Sequence, residues 1–144
     1  MTERALNILF LCTGNSCRSQ MAEGWGRELK GECYNFYSAG IETHGLNPNA
    51  VKVMQEVGID ISSHLSQTLD DLSEIVFDVV FTVCSHAHDN CPAPLKQSRV
   101  IHVGFDDPPK LAKNSRSEEE ALTHYRRVRD EIKRFVSNIE TSLS

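Results

Sequence analysis

The sequence predicts an α/β fold, a four-stranded parallel sheet with helices on both faces. Three observations carry this. Apolar runs of strand length alternate with stretches of helical spacing along the chain, the first run (Ile8-Leu9-Phe10-Leu11) leads straight into a glycine-containing polar loop and then a helical pattern, and no repeat or break in composition divides the 144 residues. Alternation of this kind implies parallel strands covered on both sides, with the polar loop at the carboxyl edge of the first strand.

The elements follow in order. Residues 7–12 read as a strand, and residues 17–29 as a helix with Met21, Ala22, Trp25 and Leu29 at apolar spacing, stopped by Gly31. Residues 34–39 form a second strand ending at Ser38-Ala39-Gly40. After turn residues around Pro48, the positions Ala50, Val51, Met54 and Val57 mark one face of a short helix closed by Gly58. Residues 75–83 are a strongly β-branched third strand, residues 99–103 a fourth, and residues 117–139 the longest helix. Ser117 followed three residues later by Glu120 is a capping box that fixes its start.

Size and charge bound the function. A chain with 40% hydrophobic residues fits one domain over 1–144 with a real core. A net charge of −5 argues against a nucleic-acid partner, which needs a basic face, so any phosphate-like ligand is expected to be small and locally trapped. Met1-Thr2-Glu3-Arg4 precedes a short apolar stretch with no cleavable small-residue site and no membrane-length span; a cytoplasmic protein with no membrane association is expected. Five cysteines are then reduced at rest, and paired ones suggest redox catalysis or metal before a permanent disulfide.

The run Cys12-Thr13-Gly14-Asn15-Ser16-Cys17-Arg18 has the layout of a tetrahedral oxyanion trap. A strand delivers the chain to a tight turn whose backbone N–H groups converge beside a helix N-terminus. Arg18 offers a planar fork of donors to two oxygens, and the positive surroundings favour a Cys12 thiolate aimed at the central atom. Gly14 avoids a Cβ where backbone approaches ligand, while Asn15, Ser16 and Ser19 can brace the loop and bond the thiolate. The oxyanion-binding candidates are thus Thr13, Gly14, Asn15, Ser16, Cys17, Arg18 and Ser19. The competing reading is a strand-end cysteine that is merely buried.

A second informative segment, Cys84-Ser85-His86-Ala87-His88-Asp89-Asn90-Cys91-Pro92, follows the third strand. In a parallel sheet that strand's end can lie beside the Cys12 loop. Were residues 84–91 helical, seven rises of about 1.5 Å would hold the two Cα atoms roughly 10 Å apart, beyond the ~7 Å limit for a disulfide, so bonding would require unwinding. Ser, His, Asp and Asn are weak helix formers, and Pro92 ends any helix. A zinc site of Cys84, His86, His88 and Cys91 is the rival reading, although its alternating spacing is poor for a structural site, and a merely structural cysteine pair is another. Cys33 is expected to be core. Finally, Gly104-Phe105-Asp106-Asp107-Pro108 places a carboxylate on a carboxyl-edge loop, suited either to a turn or to protonating a leaving oxygen.

The residues 12–25, Ser38-Ala39-Gly40-Ile41-Glu42-Thr43-His44-Gly45, the Cys84 and Cys91 pair, Gly104-Phe105-Asp106-Asp107-Pro108 and Arg127-Val128-Arg129-Asp130-Glu131-Ile132 together closely resemble the thioredoxin-coupled arsenate reductases, which share the low-molecular-weight tyrosine phosphatase fold. The resemblance implies reduction of arsenate to arsenite, with Cys12 as nucleophile, Arg18 and the loop amides as oxyanion site, Asp107 as acid, and Cys84 and Cys91 as relay thiols. It implies thioredoxin as electron donor with no tightly bound cofactor, and phosphate or sulfate as analogues of the substrate. No nucleotide or flavin motif is visible. Two departures stand out. The chain is longer around Asn114 to Ala121, and Gln67 stands where a carboxylate is expected beside Asn15, Glu23 and Ser38, which counts against the monovalent cation that some members bind. A phosphotyrosine phosphatase using Cys12, Arg18 and Asp107 alone, and a non-enzymatic oxyanion or metal sensor, are the alternatives.

Overall fold

A computed structural model describes residues 5–92, 95 and 98–143, so the opening Met1-Thr2-Glu3-Arg4 lies outside the described residues. The apolar run becomes β1 (Leu6–Cys12), which pairs in parallel with β2 (Tyr34–Gly40) on one side and β3 (Val79–Thr82) on the other. β4 (Arg99–His102) adds to β3, giving the order β2-β1-β3-β4. Side chains alternate along a strand, so Ile8 and Phe10 face one side of the sheet and Leu9 and Leu11 the other. All four are fully buried, and both faces are therefore covered. On the Phe10 face the ring lies against Phe36 and Phe81, at centroid distances of 6.0 and 5.7 Å.

The helices are α1 (Arg18–Lys30), α2 (Pro48–Glu56), α3 (Ser85–Asp89), α4 (Pro108–Ala112), α5 (Glu118–Ser137) and α6 (Ile139–Leu143), with a 3₁₀ turn at Leu69–Leu72. Local chemistry explains their ends. Asn47 caps α2 by accepting from the Asn49 and Ala50 amides, with Pro48 at the first helical position, where its missing N–H costs nothing. Ser117 caps α5 through the Glu120 amide, whereas the Glu120 carboxylate reaches one residue further back than a capping box requires, to the Arg116 amide. Residues 113–117 connect α4 to this helix.

α5 lies over the sheet and against α1, α2 and α4. Phe135 meets Phe81 edge-on at 5.1 Å, and the Trp25 indole of α1 donates to the Arg129 carbonyl at 3.1 Å. Arg129, only 8% exposed, donates to the Val53 carbonyl and to the Glu56 and Asp130 carboxylates, tying α5 to α2.

Three further expectations need correction. The third strand begins at Val79 instead of residue 75, because before it the chain is held by side chains: Asn7 Nδ2 donates to Val76 O and the Asp78 carboxylate accepts from the Asn7 amide. The long helix stops at Ser137, where Asn138 caps it and α6 starts afresh. Cys33 is exposed, since it lies in the turn between α1 and β2, before the ladder begins.

Replacing Arg129 by Met keeps the aliphatic packing but strands the buried Val53 carbonyl. It is expected to cost about 1–3 kcal/mol, read as a lower urea midpoint with unchanged m-value.

Candidate active site

The loop after β1 owes its shape to where its carbonyls go. The carbonyls of Cys12, Thr13, Gly14 and Ser16 accept from the amides of Ile41, Glu42, His44 and Asn47, and the Asn15 carbonyl accepts from Gln20 Nε2. In a planar trans peptide the N–H following each carbonyl points the opposite way. Turning the carbonyls outward therefore turns the amides of residues 13–17 inward, and the Asn15 amide indeed points at Cys12 Sγ, 3.2 Å away. Asn15 adopts φ +48°, the left-handed conformation that asparagine tolerates better than most residues. Its side chain, fully buried, accepts from Gln20 Nε2 and the Gln67 amide and donates to Ser19 Oγ, which lies 2.8 Å from Cys12 Sγ. Gly14 is required by close approach: a Cβ there would lie 2.2 Å from the His44 ring.

The result is a pocket of 370 Å³ at the carboxyl edge of the sheet, floored by the anion loop and walled by His44, Asn47 and Asp107. A wider depression of 710 Å³ wraps the α1–β2 turn over residues 27–37, away from the anion loop. Of the sequence-predicted oxyanion residues, Thr13, Gly14, Ser16, Cys17 and Arg18 line the pocket, while Asn15 and Ser19 stand behind it as braces. His44 and Asn47 were not singled out from the sequence as pocket residues; their role comes from the segment that bonds the loop carbonyls, which no local pattern announces.

Arg18 is held by donation to the Phe105 carbonyl at 2.9 Å and lies 3.8 Å from Asp107. Asp107, half-exposed, precedes α4, and its neighbour Asp106 is tethered to Arg127 of α5 at 2.9 Å. The fold thus brings Cys12, Arg18 and Asp107 to one pocket. Cys84 lies beside the loop: β3 is the neighbour of β1, and Cys84 Sγ lies 3.4 Å from Thr13 Oγ1. The cysteine segment is helical only over Ser85–Asp89, with Cys84 extended before the helix and half-buried Cys91 beyond it. None of the five cysteines is disulfide-bonded.

His86 turns to Thr13 and His88 to Thr82, and among the described residues no three His, Cys, Asp or Glu side chains gather as metal ligands. The residues named for a monovalent cation fit one poorly. Glu23 accepts from Ser38 Oγ at 2.6 Å and pairs with Arg27 at 2.9 Å, so a guanidinium already meets its charge, and Gln67 Nε2 points a donor at the Ser38 carbonyl.

Comparison with known proteins agrees with this geometry. The pattern of the family described as low molecular weight phosphotyrosine protein phosphatase matches residues 7–144. The chain belongs to this family. Within it, the chain is 55% identical over 135 residues to an arsenate reductase of Halalkalibacterium halodurans, covering 93% of this chain and 95% of that protein. It is 54% identical over 126 residues to an arsenate reductase of Staphylococcus aureus, covering 88% and 89%. Among solved structures, an arsenate reductase in the phosphate-binding state matches with a TM-score of 0.78 at 30% identity, over 96% of this chain and 99% of that one. The four-stranded parallel sheet is thus the family's fold.

Cys17 also lines the pocket. Burial pushes it far above the usual thiol value of 9.0, with Arg18 only partly opposing, so it stays protonated and contributes its backbone. The unfolded chain would ionise this thiol above pH 9 and the folded chain would not, so folding stability must fall as pH rises past that value. Cys17→Ala is expected to flatten the loss of stability above pH 9 by up to about 1.4 kcal/mol per pH unit, measured by urea unfolding against pH.

Proposed function

We propose that this chain reduces arsenate to arsenite with three of its own cysteines and that thioredoxin returns the electrons. The observation that supports this reading most directly is the placement of Cys84 one hydroxyl away from the anion loop, a second thiol that phosphate hydrolysis does not need. The chemistry follows from the pocket. Arsenate oxygens take the inward loop amides and the Arg18 fork, and the Cys12 thiolate attacks arsenic while Asp107 gives a proton to the departing oxygen. Arsenic suits this step because it accepts a soft thiolate ligand and is more readily reduced than phosphorus.

Cys84 then attacks the Cys12 sulfur. The new sulfur–sulfur bond forms as the sulfur–arsenic bond breaks, and its electron pair leaves with arsenic as arsenite. Cys91 attacks Cys84 in turn, restoring the Cys12 thiol and moving the disulfide to the outer segment, where a reduced dithiol can exchange with it. No helix among the described residues is long and apolar enough to cross a membrane. A cytoplasmic setting, where thioredoxin keeps thiols reduced, suits five cysteines without a disulfide.

Cys12→Ser is expected to abolish both arsenate reduction and hydrolysis of an aryl phosphate, since both begin with the same thiolate. Arg18→Lys should cripple both, because an ammonium cannot reproduce the two-pronged contact. Substantial turnover by either variant, in an assay coupled to thioredoxin, thioredoxin reductase and NADPH, would refute the trap.

Cys84→Ser and Cys91→Ser are expected to stop multiple turnovers of arsenate while hydrolysis of the aryl phosphate continues, and Cys91→Ser should accumulate the Cys12–Cys84 disulfide, identified by peptide mapping. Retained arsenate turnover in both variants would overturn the three-cysteine relay, whereas an unmutated chain that hydrolyses the aryl phosphate but yields no arsenite would favour the phosphatase reading, in which Cys12, Arg18 and Asp107 suffice.

A further inference from the structure

The second thiol must lose a proton before it can attack, and the structure provides a route that the three-cysteine scheme leaves unassigned. Cys84 is buried, 6% exposed. Its sulfur lies 3.4 Å from Thr13 Oγ1, and the same hydroxyl lies 3.0 Å from Nδ1 of His86, two residues further along the chain. A hydroxyl has one hydrogen to give and lone pairs to receive with. With Cys84 as thiol and the imidazole neutral at Nδ1, both contacts are satisfied when the S–H donates to Thr13 and Thr13 donates to His86. With thiolate and imidazolium, both are satisfied with each bond reversed. The two arrangements are the start and end of a proton transfer that needs no heavy atom to move.

We propose that His86, through the Thr13 hydroxyl, takes the proton of Cys84 and so prepares the second thiol for attack on Cys12. His86 touches neither sulfur; it is a positioning residue for the nucleophile. The step balances. The Cys84 proton passes to Thr13 as the Thr13 proton passes to Nδ1. The thiolate forms a bond to the Cys12 sulfur, and the sulfur–arsenic pair leaves with arsenic, which goes from the pentavalent to the trivalent state as two thiols become a disulfide. His86 is exposed and returns its proton to water. Histidine suits the task because its charge changes between pH 5 and 8.

Other titratable groups are accounted for. Cys12, Cys17, Arg18, His44 and Asp107 line the pocket that Thr13 also borders. On the same helix, Asp89 is exposed and His88 is turned away, to Thr82 Oγ1 at 3.0 Å, where its ring also lies 4.8 Å from that of His102. His86 is thus the imidazole aimed at the Cys84 hydroxyl partner.

The proposal rests on the relay reading, and one experiment separates them. In Cys91→Ser protein, rapid quench after mixing with arsenate measures formation of the Cys12–Cys84 disulfide in a single turnover. Free thiols are only a few per cent ionised at pH 7, so losing the base that deprotonates one can cost up to about thirtyfold. Adding His86→Gln is expected to slow disulfide formation about ten- to thirtyfold at pH 7, with the gap closing to about threefold or less by pH 9, where thiols ionise unaided. The ratio of the two rates is read, so that arsenate's own ionisation cancels. Added imidazole should restore a His86→Ala variant. Equal rates at every pH with and without His86 would overturn the role of His86 alone, as would a deficit that neither alkaline pH nor imidazole repairs. Failure of the Cys91→Ser parent to form the disulfide would overturn the relay, and His86's role with it.

Discussion

The anion pocket depends on one set of hydrogen bonds, those that hold the carbonyls of residues 12–16 away from it. Four of them end on backbone amides of the segment after β2, at Ile41, Glu42, His44 and Asn47, and the fifth on the Gln20 side chain. Each bonded carbonyl fixes the peptide plane that follows and thereby aims an amide at the ligand. A pocket lined by backbone donors cannot be built by side-chain choice alone; it needs a second stretch of chain whose own amides run alongside. Gly40 makes that proximity possible, because a Cβ there would meet the Glu42 and Thr13 carbonyls at 2.3 and 2.8 Å.

Topology supplies the rest. β1 lies between β2 and β3, so its carboxyl end faces the segment that shapes the loop on one side and the cysteine segment on the other. The register pairs Cys12 with Gly40 and Leu11 with Thr82, which sets Cys84 two residues past the ladder beside Thr13. β4 follows β3, and the chain leaving it carries Phe105 back to Arg18 and Asp107 to the pocket rim. The loop that carries Asp107 is fixed from below as well, since Arg127 of α5 holds Asp106 and Glu131 together. Four strand ends and one helix face meet there, which is why the residues are so far apart in sequence.

Much of this was legible in the sequence because it is local. The strand, glycine turn and helix of residues 6–30 announce themselves by apolar spacing and by the order Cys12, Gly14, Arg18; the cap at Ser117 is written in two residues. What escaped was set by distant partners. Asn15 and Ser19 read from the sequence both as loop braces and as oxyanion contacts; their side chains brace, but the partners Gln20 and Gln67 that draw Asn15 into the interior are not legible locally. His44 and Asn47 form pocket walls only because their amides take up loop carbonyls 30 residues away in the chain, give or take a few. The start of β3 was misplaced for a similar reason, an Asn7–Asp78 exchange that apolar periodicity cannot express.

The cysteine segment faces two opposed requirements. In the proposed relay, Cys84 is first held close to the anion loop, and residues 84–91 then rearrange enough for Cys84 and Cys91 to bond. A helix of five residues is far below the length that is stable alone, so α3 exists by its tethers and not by its own propensity. Those tethers are few and polar. Thr13 holds His86, Thr82 holds His88, and Ala87 alone of the helix is buried. Two of these contacts end on imidazoles, which suits a segment that must be placed accurately and then released. An apolar helix packed into the core would place Cys84 equally well, but releasing it would cost the burial of several side chains, each worth about 1.5–3 kcal/mol, at every turnover. Small size and hydroxyl-to-histidine tethers therefore do for α3 what the outward carbonyls do for the anion loop: they fix geometry through hydrogen bonds, and in the helix alone those bonds are cheap enough to break.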